Sequence, residues 1–148
     1  MSKSKTLVWA AAALAASLSG CASMGGGGGG GGSASTASLQ ASPTQPAAEG
    51  AVKFGVAKND NTSVNLSVKH LAKPEKLQPS ESAYVVWTKR DANAEPQNIG
   101  ALQVDKNLTG TLNTVTPLHQ FEIFVTAEPN GQAQQPSGDR QLWTSFSR

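Results

Sequence analysis

The chain has 148 residues, and its 12 basic and 10 acidic side chains give a formal charge of only +2. Nucleic-acid binding requires a strongly basic surface, so no nucleic-acid partner is expected. The single cysteine, Cys21, excludes an internal disulfide. Stability must therefore come from a hydrophobic core alone, and the length suits one domain.

Residues 1–20 have the three parts of an export signal. Lys3 and Lys5 give a basic start, an apolar centre runs over residues 7–18, and small residues precede Cys21. The apolar centre is shorter than the roughly 20 residues that a membrane-spanning helix needs. We therefore predict a signal peptide that is removed. Because Lys3 and Lys5 leave with it, the processed chain has equal numbers of basic and acidic side chains.

The segment Leu18-Ser19-Gly20-Cys21 resembles the lipobox of bacterial lipoproteins. In that family the cysteine thiol receives a diacylglyceryl group, the leader is cut before it, and the new amino terminus is acylated. The resemblance implies that Cys21 is lipidated and anchors the protein to a membrane. Ala22, in place of an acidic residue, implies the outer membrane of a Gram-negative bacterium. The alternative is ordinary signal cleavage that leaves a free cysteine.

Residues 21–50 are predicted to form a disordered tether behind the lipidated cysteine. They contain an unbroken glycine run over residues 25–32, then Ser, Ala, Thr and Gln with Pro43 and Pro46. This composition cannot form a core, and as a flexible coil it would reach roughly 30 Å. A glycine run can also cradle a phosphate, but the strand, helix, lysine and hydroxyl that such a loop needs are missing from the local sequence.

Residues 51–148 contain seven short apolar runs with period-two alternation, separated by Asn, Asp, Pro and Gly clusters. This pattern predicts an all-β domain, an Ig-like antiparallel β-sandwich of about seven strands that is monomeric. Asn59-Asp60-Asn61 predicts a hairpin turn, and Gly100 predicts a β-bulge. Residues 83–87 are apolar on both faces, which predicts a central strand with Trp87 at the centre of the core. The runs cover residues 52–56, 64–68, 83–87, 99–104, 108–112, 121–125 and 142–146.

Several segments follow in the order found in one family. They are residues 84–87, Ile99-Gly100, and residues 121–131 followed by Pro136-Ser137-Gly138. This stretch resembles the extracytoplasmic C-terminal domain of anti-sigma-K-type factors. The resemblance implies a fold and a sensory or interaction role. Full-length members carry a cytoplasmic sigma-binding region and a membrane-spanning helix ahead of this domain. A lipid-anchored chain without them is expected to bind no sigma factor.

The sequence predicts no catalytic residue, no metal site and no cofactor, and the protein is not expected to be an enzyme. His70 and His119 have no histidine or cysteine at metal-ligand spacing nearby. No Gly-x-Ser-x-Gly motif marks a nucleophile. The Asp side chains are scattered at predicted turns, where they bond to backbone amides.

The candidate interaction residues form two groups. The first lies in the loop before the last strand, which is expected to protrude, and comprises Glu128, Pro129, Gly131, Pro136 and Gly138. Glu128 is expected to pair with Arg140 across the hairpin. The second group is an aromatic set that would either pack in the core or form a contact patch, and it comprises Tyr84, Phe124 and Trp143.

The sequence as a whole predicts a lipid-anchored protein of the cell envelope. It would reach the membrane through Cys21 and present a binding or structural module to an envelope protein or a cell-wall partner. The alternative is a small-ligand carrier or an envelope enzyme with a site at the edge of the sandwich. A concave site with convergent polar groups would favour the alternative.

Overall fold

The computed structural model describes residues 34–148, which form one antiparallel sheet of nine strands that is nearly closed into a barrel. The other regular elements in this span are two single 3₁₀ turns, Lys58–Asp60 and Pro74–Lys76. No helix among residues 34–148 is long and apolar enough to cross a membrane. The strands are β1 Ser35–Ala41, β2 Glu49–Val56, β3 Thr62–Lys69, β4 Ala83–Lys89, β5 Gln97–Ala101, β6 Gln103–Val104, β7 Gly110–Thr116, β8 Gln120–Glu128 and β9 Arg140–Ser147.

The strand order in the sheet is β5-β4-β8-β9-β1-β2-β3-β7-β6. The two ends of this order, β5 and β6, are consecutive in the chain and are separated only by Leu102. The Leu102 amide donates to the Tyr84 carbonyl oxygen at 2.9 Å, while β6 pairs with β7. One bent stretch of chain therefore forms both ends of the sheet.

The opening between β5 and β7 is filled by side-chain packing. Leu112 of β7 lies against Gly100 of β5 so closely that a Cβ on Gly100 would stand 2.8 Å from Leu112 Cδ1. Gly100 also has a φ of 138°, which L residues rarely adopt. Glycine is required at this position for both reasons.

Five of the seven predicted runs lie entirely in strands, and the run over residues 108–112 enters β7 only at Gly110. The hairpin at Asn59-Asp60-Asn61 is confirmed by the pairing of β2 with β3. The predicted bulge is confirmed by a register shift between Val86 and Trp87, opposite Gly100. The predicted count of seven strands is wrong. The run over residues 99–104 bends at Leu102 and supplies two strands, and β1 was not predicted at all.

The prediction of a disordered tether over residues 21–50 is wrong for the second half of this range. Residues 35–41 form β1, which pairs with β2 along five residues and with β9 through Gln40 and Ala41. Leu39 is buried in the main core. The folded domain therefore begins near residue 35 and not at residue 51. The predicted signal peptide and residues 21–33 lie outside the described residues.

The main core fills the inside of the barrel. Phe54 stacks on Phe146 with ring centroids 4.1 Å apart, and Phe121 packs edge-on against Phe54 at 5.7 Å. These rings are worth several kcal/mol by burial alone. The larger buried members of this core are Leu39, Val52, Phe54, Val64, Leu66, Val68, Leu71, Tyr84, Val86, Leu102, Phe121, Ile123, Val125 and Leu142.

The strand directions divide the connections between two ends of the barrel. We call the end where β1 begins the entry end; it carries residues 57–61, 90–96 and 117–119, and Arg148. We call the opposite end the loop end; it carries residues 42–48, 70–82, 105–109 and 129–139. The candidate interaction loop is thus remote from the point where the chain enters the domain.

Candidate functional site

A second apolar cluster lies on the outer face of β4, β8 and β9. Trp87, Phe124 and Trp143 stand side by side in the pairing register of these three strands. Trp87, Phe124 and Val85 are buried, whereas Trp143 is half-buried at the margin. Trp87 is therefore fully buried as predicted, but its place is this outer cluster and not the centre of the main core.

The β8–β9 loop, residues 129–139, covers this cluster. Ala133 packs against it, and Asn98 Nδ2 donates to the carbonyl oxygens of Gly131 at 3.2 Å and Ala133 at 2.9 Å. Gly131 lies so close to β5 that an added Cβ would stand 3.0 Å from the Cβ of Ala101. The loop was predicted to protrude. It is instead folded back against the sheet.

Glu128 holds the far end of this loop. Its side chain is fully buried and accepts hydrogen bonds from the Ser137 amide at 3.0 and 3.1 Å, from Ser137 Oγ at 2.5 Å and from the Gly138 amide at 3.4 Å. Thr126 Oγ1 donates to it at 2.5 Å. Its hydrogen-bond partners are all hydroxyls and amides, so a buried carboxylate is here stabilised by neutral donors.

Trp87 and Glu128 are linked through one hydroxyl. Trp87 Nε1 donates to Thr126 Oγ1 at 2.8 Å, and Thr126 Oγ1 in turn donates to Glu128 Oε1. The indole N–H of Trp87 and the hydroxyl of Thr126 thereby both have hydrogen-bond partners, although all three residues are buried. The carboxylate consequently fixes both the loop and the largest side chain beneath it.

Burial acts to raise the pKa of Glu128, because a charged carboxylate loses water. The hydrogen bonds from the Ser137 hydroxyl, the Thr126 hydroxyl and the amides of Ser137 and Gly138 act in the opposite direction and prevail, so the pKa lies below its ordinary value. The carboxylate is therefore ionised at neutral pH.

The predicted pair between Glu128 and Arg140 is wrong. Arg140 pairs with Glu122, and its guanidinium lies 4.3 Å from the centroid of the Phe124 ring. A register shift after Val125 places Arg140 opposite Thr126. Without the shift the register would have put Ala127, and not Glu128, opposite Arg140, so the predicted pair fails in either register.

Tyr84 does not join Phe124 and Trp143, because it faces the inside of the barrel. Its hydroxyl accepts from Gln45 Nε2 at 2.8 Å and donates to the Ala72 carbonyl oxygen at 2.8 Å. Gln45 also donates to Gln141 Oε1 at 3.1 Å. Burial raises the pKa of Tyr84 above its ordinary value, the Gln45 hydrogen bond opposes this, and the charge of Glu75 adds to it. Tyr84 is a structural residue that fixes the 42–48 connection.

The glycines and prolines of the loop have separate roles. A Cβ on Gly138 would stand 2.3 Å from the Ala127 carbonyl oxygen, so only glycine fits there. Pro129 is exposed and Pro136 is half-buried. The residues that sequence reasoning missed are Thr126 and Ser137, which bind Glu128. The repeated polar positions in an otherwise apolar β8 were the available signal.

The remaining candidate sites among the described residues are a groove and possible metal ligands. A groove of about 340 Å³ at the loop end is lined by Lys76, Glu81, Asp139 and Gln141 among others. Grooves of about 410, 420 and 450 Å³ occur elsewhere on residues 34–148, so this groove is not singled out as the site of the small-ligand alternative. Within residues 34–148 no three His, Cys, Asp or Glu side chains are grouped to hold a metal ion. Cys21 lies outside the described residues.

Comparison of the chain with models of known protein families gave no match, and comparison with curated protein sequences gave none either.

Replacement of Glu128 should weaken the domain far more than a surface hairpin pair would. Glu128→Ala leaves two amides and two hydroxyls without their acceptor, so we expect a loss of about 2–4 kcal/mol in the free energy of unfolding. The matched control is Glu122→Ala, which breaks an exposed ion pair and should cost under about 1 kcal/mol. Urea unfolding monitored by tryptophan fluorescence measures both. Equal costs would contradict the role assigned to Glu128.

The same carboxylate predicts a pH dependence. The pKa of Glu128 is lower in the folded than in the unfolded chain, so its contribution is present above the unfolded value of about 4.3 and is lost as pH falls through the folded value. Thermal unfolding of the wild type should therefore shift to lower temperature on acidification. Glu128→Gln, which cannot ionise, should reduce the slope in this acid range, and an unchanged slope would refute the assignment.

Proposed function

We propose that the protein is a lipid-anchored component of the cell envelope that presents an Ig-like module for binding to an envelope protein or the cell wall. The observation that carries the proposal is the Leu18-Ser19-Gly20-Cys21 motif at the end of the predicted export signal, with Cys21 14 residues before the first strand. A lipid on Cys21 would hold the module close to the membrane while leaving its surface free. No sigma-factor binding is part of this proposal.

The strand order supports the Ig-like part of the proposal. The order β2-β3-β7-β6 corresponds to A-B-E-D of an immunoglobulin-type sandwich, and β5-β4-β8-β9 corresponds to C′-C-F-G. β1 is an additional strand that joins the two halves through β2 and β9. Because such modules host many unrelated functions, the binding role must be argued from a surface.

The surface that best supports binding surrounds Trp143. Its ring is partly exposed at the margin of the outer cluster, next to the exposed Gln40 of β1 and the Arg140–Glu122 pair. Binding interfaces are enriched in tryptophan and arginine that are already held in place. Here Phe124 supports both Trp143 and Arg140 from below. This arrangement favours an extended contact over the enclosed site that a carrier requires.

The anchor is tested by Cys21→Ser. Several acyl chains, at about 0.8 kcal/mol for each buried methylene, hold a protein firmly to a membrane, and removal of the thiol prevents their attachment. The variant should appear in the soluble fraction, whereas the control Ser23→Ala should remain with membranes. Density-gradient separation then tests the outer-membrane assignment. Retention of Cys21→Ser in the membrane fraction would overturn the lipoprotein assignment.

The binding surface is tested by photocrosslinking in intact cells. A crosslinking amino acid at position 40, beside Trp143, should capture a partner. The same amino acid at position 65, exposed on the outer face of β3, is the matched control and should capture little. A partner captured from position 65 and not from position 40 would place the binding surface elsewhere.

A further inference from the structure

The large apolar side chains that are exposed among residues 34–148 both lie at the entry end. Val56 is 49% exposed at the end of β2, and Val115 is 54% exposed near the end of β7. In the pairing register, Val56 lies opposite Thr62, and Thr62 lies opposite Thr116. Two strand spacings of about 4.8 Å separate Val56 from Thr116, the neighbour of Val115, so the two valines lie at one rim of the barrel. Val115 belongs to the outward-facing positions of β7, and Val56 belongs to the inward-facing positions of β2.

The chain that precedes the domain reaches the same end. Ser35, the first residue of β1, pairs with Phe54, two residues before Val56. Cys21 is 14 residues upstream of Ser35, a length that spans at most about 50 Å when fully extended. A membrane anchor at Cys21 would therefore be connected to the domain at the end that carries the exposed valines.

The charges at the entry end balance, whereas the loop end keeps a small acidic excess that an anionic membrane surface would repel. Four basic side chains, Lys58, Lys89, Arg90 and Arg148, lie at the entry end with four acidic ones, Asp60, Asp91, Glu95 and Glu122. At the loop end the acidic side chains outnumber the basic ones by one. They are Glu49, Glu75, Glu81, Asp105, Asp139 and the buried Glu128, against Lys69, Lys73, Lys76, Lys106 and Arg140.

We propose that the entry end rests on the lipid bilayer, with Val56 and Val115 in the headgroup region. This inference rests on the proposed lipid anchor. Two valines bind a bilayer weakly by themselves, but an anchor makes the contact intramolecular and raises its effective concentration to roughly the millimolar range. The loop end, with the β8–β9 loop and its groove, then faces away from the membrane.

The test uses the full-length lipidated protein reconstituted into vesicles that contain zwitterionic and anionic phospholipids. Val115→Cys is labelled with a fluorophore, and a quencher is attached to the lipid headgroups. Thr111→Cys is the matched control, because Thr111 lies on the same exposed face of β7, about 13 Å further from the entry end. Cys21 carries lipid and does not react with the label.

We expect the label at position 115 to be quenched several-fold more strongly than the label at position 111. Equal quenching at both positions, or stronger quenching at position 111, would overturn the orientation. Vesicle flotation separates the two proposals. A protein that floats but shows equal quenching retains its anchor and lacks the docked orientation, whereas a protein that does not float refutes the anchor and the orientation together.

The contribution of the valines is tested on the same reporter. Val56→Ser in the Val115→Cys background should lower the quenching, because a polar side chain replaces an apolar one in the headgroup region. Lys53→Ser, on the outer face of the same strand and further from the entry end, should leave it unchanged. Quenching that is insensitive to Val56→Ser, or equally sensitive to Lys53→Ser, would contradict the proposed contact.

Discussion

A fragment that begins at residue 51 should be largely unfolded, whereas a fragment that begins at residue 34 should fold. The shorter fragment lacks β1, which lies between β9 and β2 in the sheet. Its loss removes Leu39 from the core and exposes the facing edges of β2 and β9. Burial of one leucine contributes about 1.5–3 kcal/mol, before any strand pairing is counted.

The same truncation removes Gln45 from the polar network at the loop end. Tyr84 and Gln141 then lose a buried partner, and the Ala72 amide loses its acceptor, at about 1–3 kcal/mol for each unsatisfied group. These losses together are comparable with the 5–15 kcal/mol of total stability that a domain of this size has.

Circular dichroism and urea unfolding of the two fragments measure the effect. The fragment from residue 34 should show a cooperative transition, and the fragment from residue 51 should show none. Gln45→Ala in the longer fragment isolates the network and should cost about 1–3 kcal/mol. If the fragment from residue 51 unfolds with the same midpoint as the longer one, β1 is dispensable.

Trp87→Ala should be the most damaging single substitution in the outer cluster, with a loss of about 3–5 kcal/mol. The side chain is fully buried beneath the β8–β9 loop, and its removal leaves a cavity next to Phe124 and Val85. It also takes away the donor to Thr126 Oγ1, the hydroxyl that supports Glu128. The loop and the sheet should therefore be destabilised together.

Denaturant unfolding of Trp87→Ala, Trp87→Phe and the wild type separates the two contributions. The phenylalanine variant keeps most of the packing and loses the hydrogen bond, so its cost should lie near 1–2 kcal/mol. Replacement of the exposed Val115 by Ala is the surface control and should change the free energy of unfolding by under about 0.5 kcal/mol. A nearly silent Trp87→Ala would show that the outer cluster contributes little.

The strands with strong alternation could be predicted from the sequence because their apolar residues are large. Val64, Leu66 and Val68, for example, give β3 an unmistakable period of two, and all three are buried. β1 was missed for the opposite reason. Its inward positions are Ala37, Leu39 and Ala41, and one leucine between two alanines next to a glycine run is a weak signal. Its pairing is imposed by the exposed edges of β2 and β9 and not by its own propensity.

Individual residues of the candidate site could be predicted from the sequence, but their contacts could not. The glycine at position 138 and the carboxylate at position 128 were identified as special, and the structure shows why each is required. The partner of Glu128 was misplaced because its donors, Thr126, Ser137 and Gly138, lie in β8 itself and in the β8–β9 loop and not on the facing strand. Alternation assigns faces along a strand, but it does not reveal which amides of a loop turn towards the end of that strand.

The pairing of β1 with β9 has a consequence for biogenesis. Gln40 and Trp143 are partners although they are 103 positions apart in the chain, so the sheet cannot be completed until the last strand has been synthesised. Non-local pairing of this kind slows folding to the range of milliseconds to seconds. If the proposed export signal directs the chain across a membrane, the nascent chain would therefore remain unfolded during transport. The domain would then fold only after its final residues had been released on the far side.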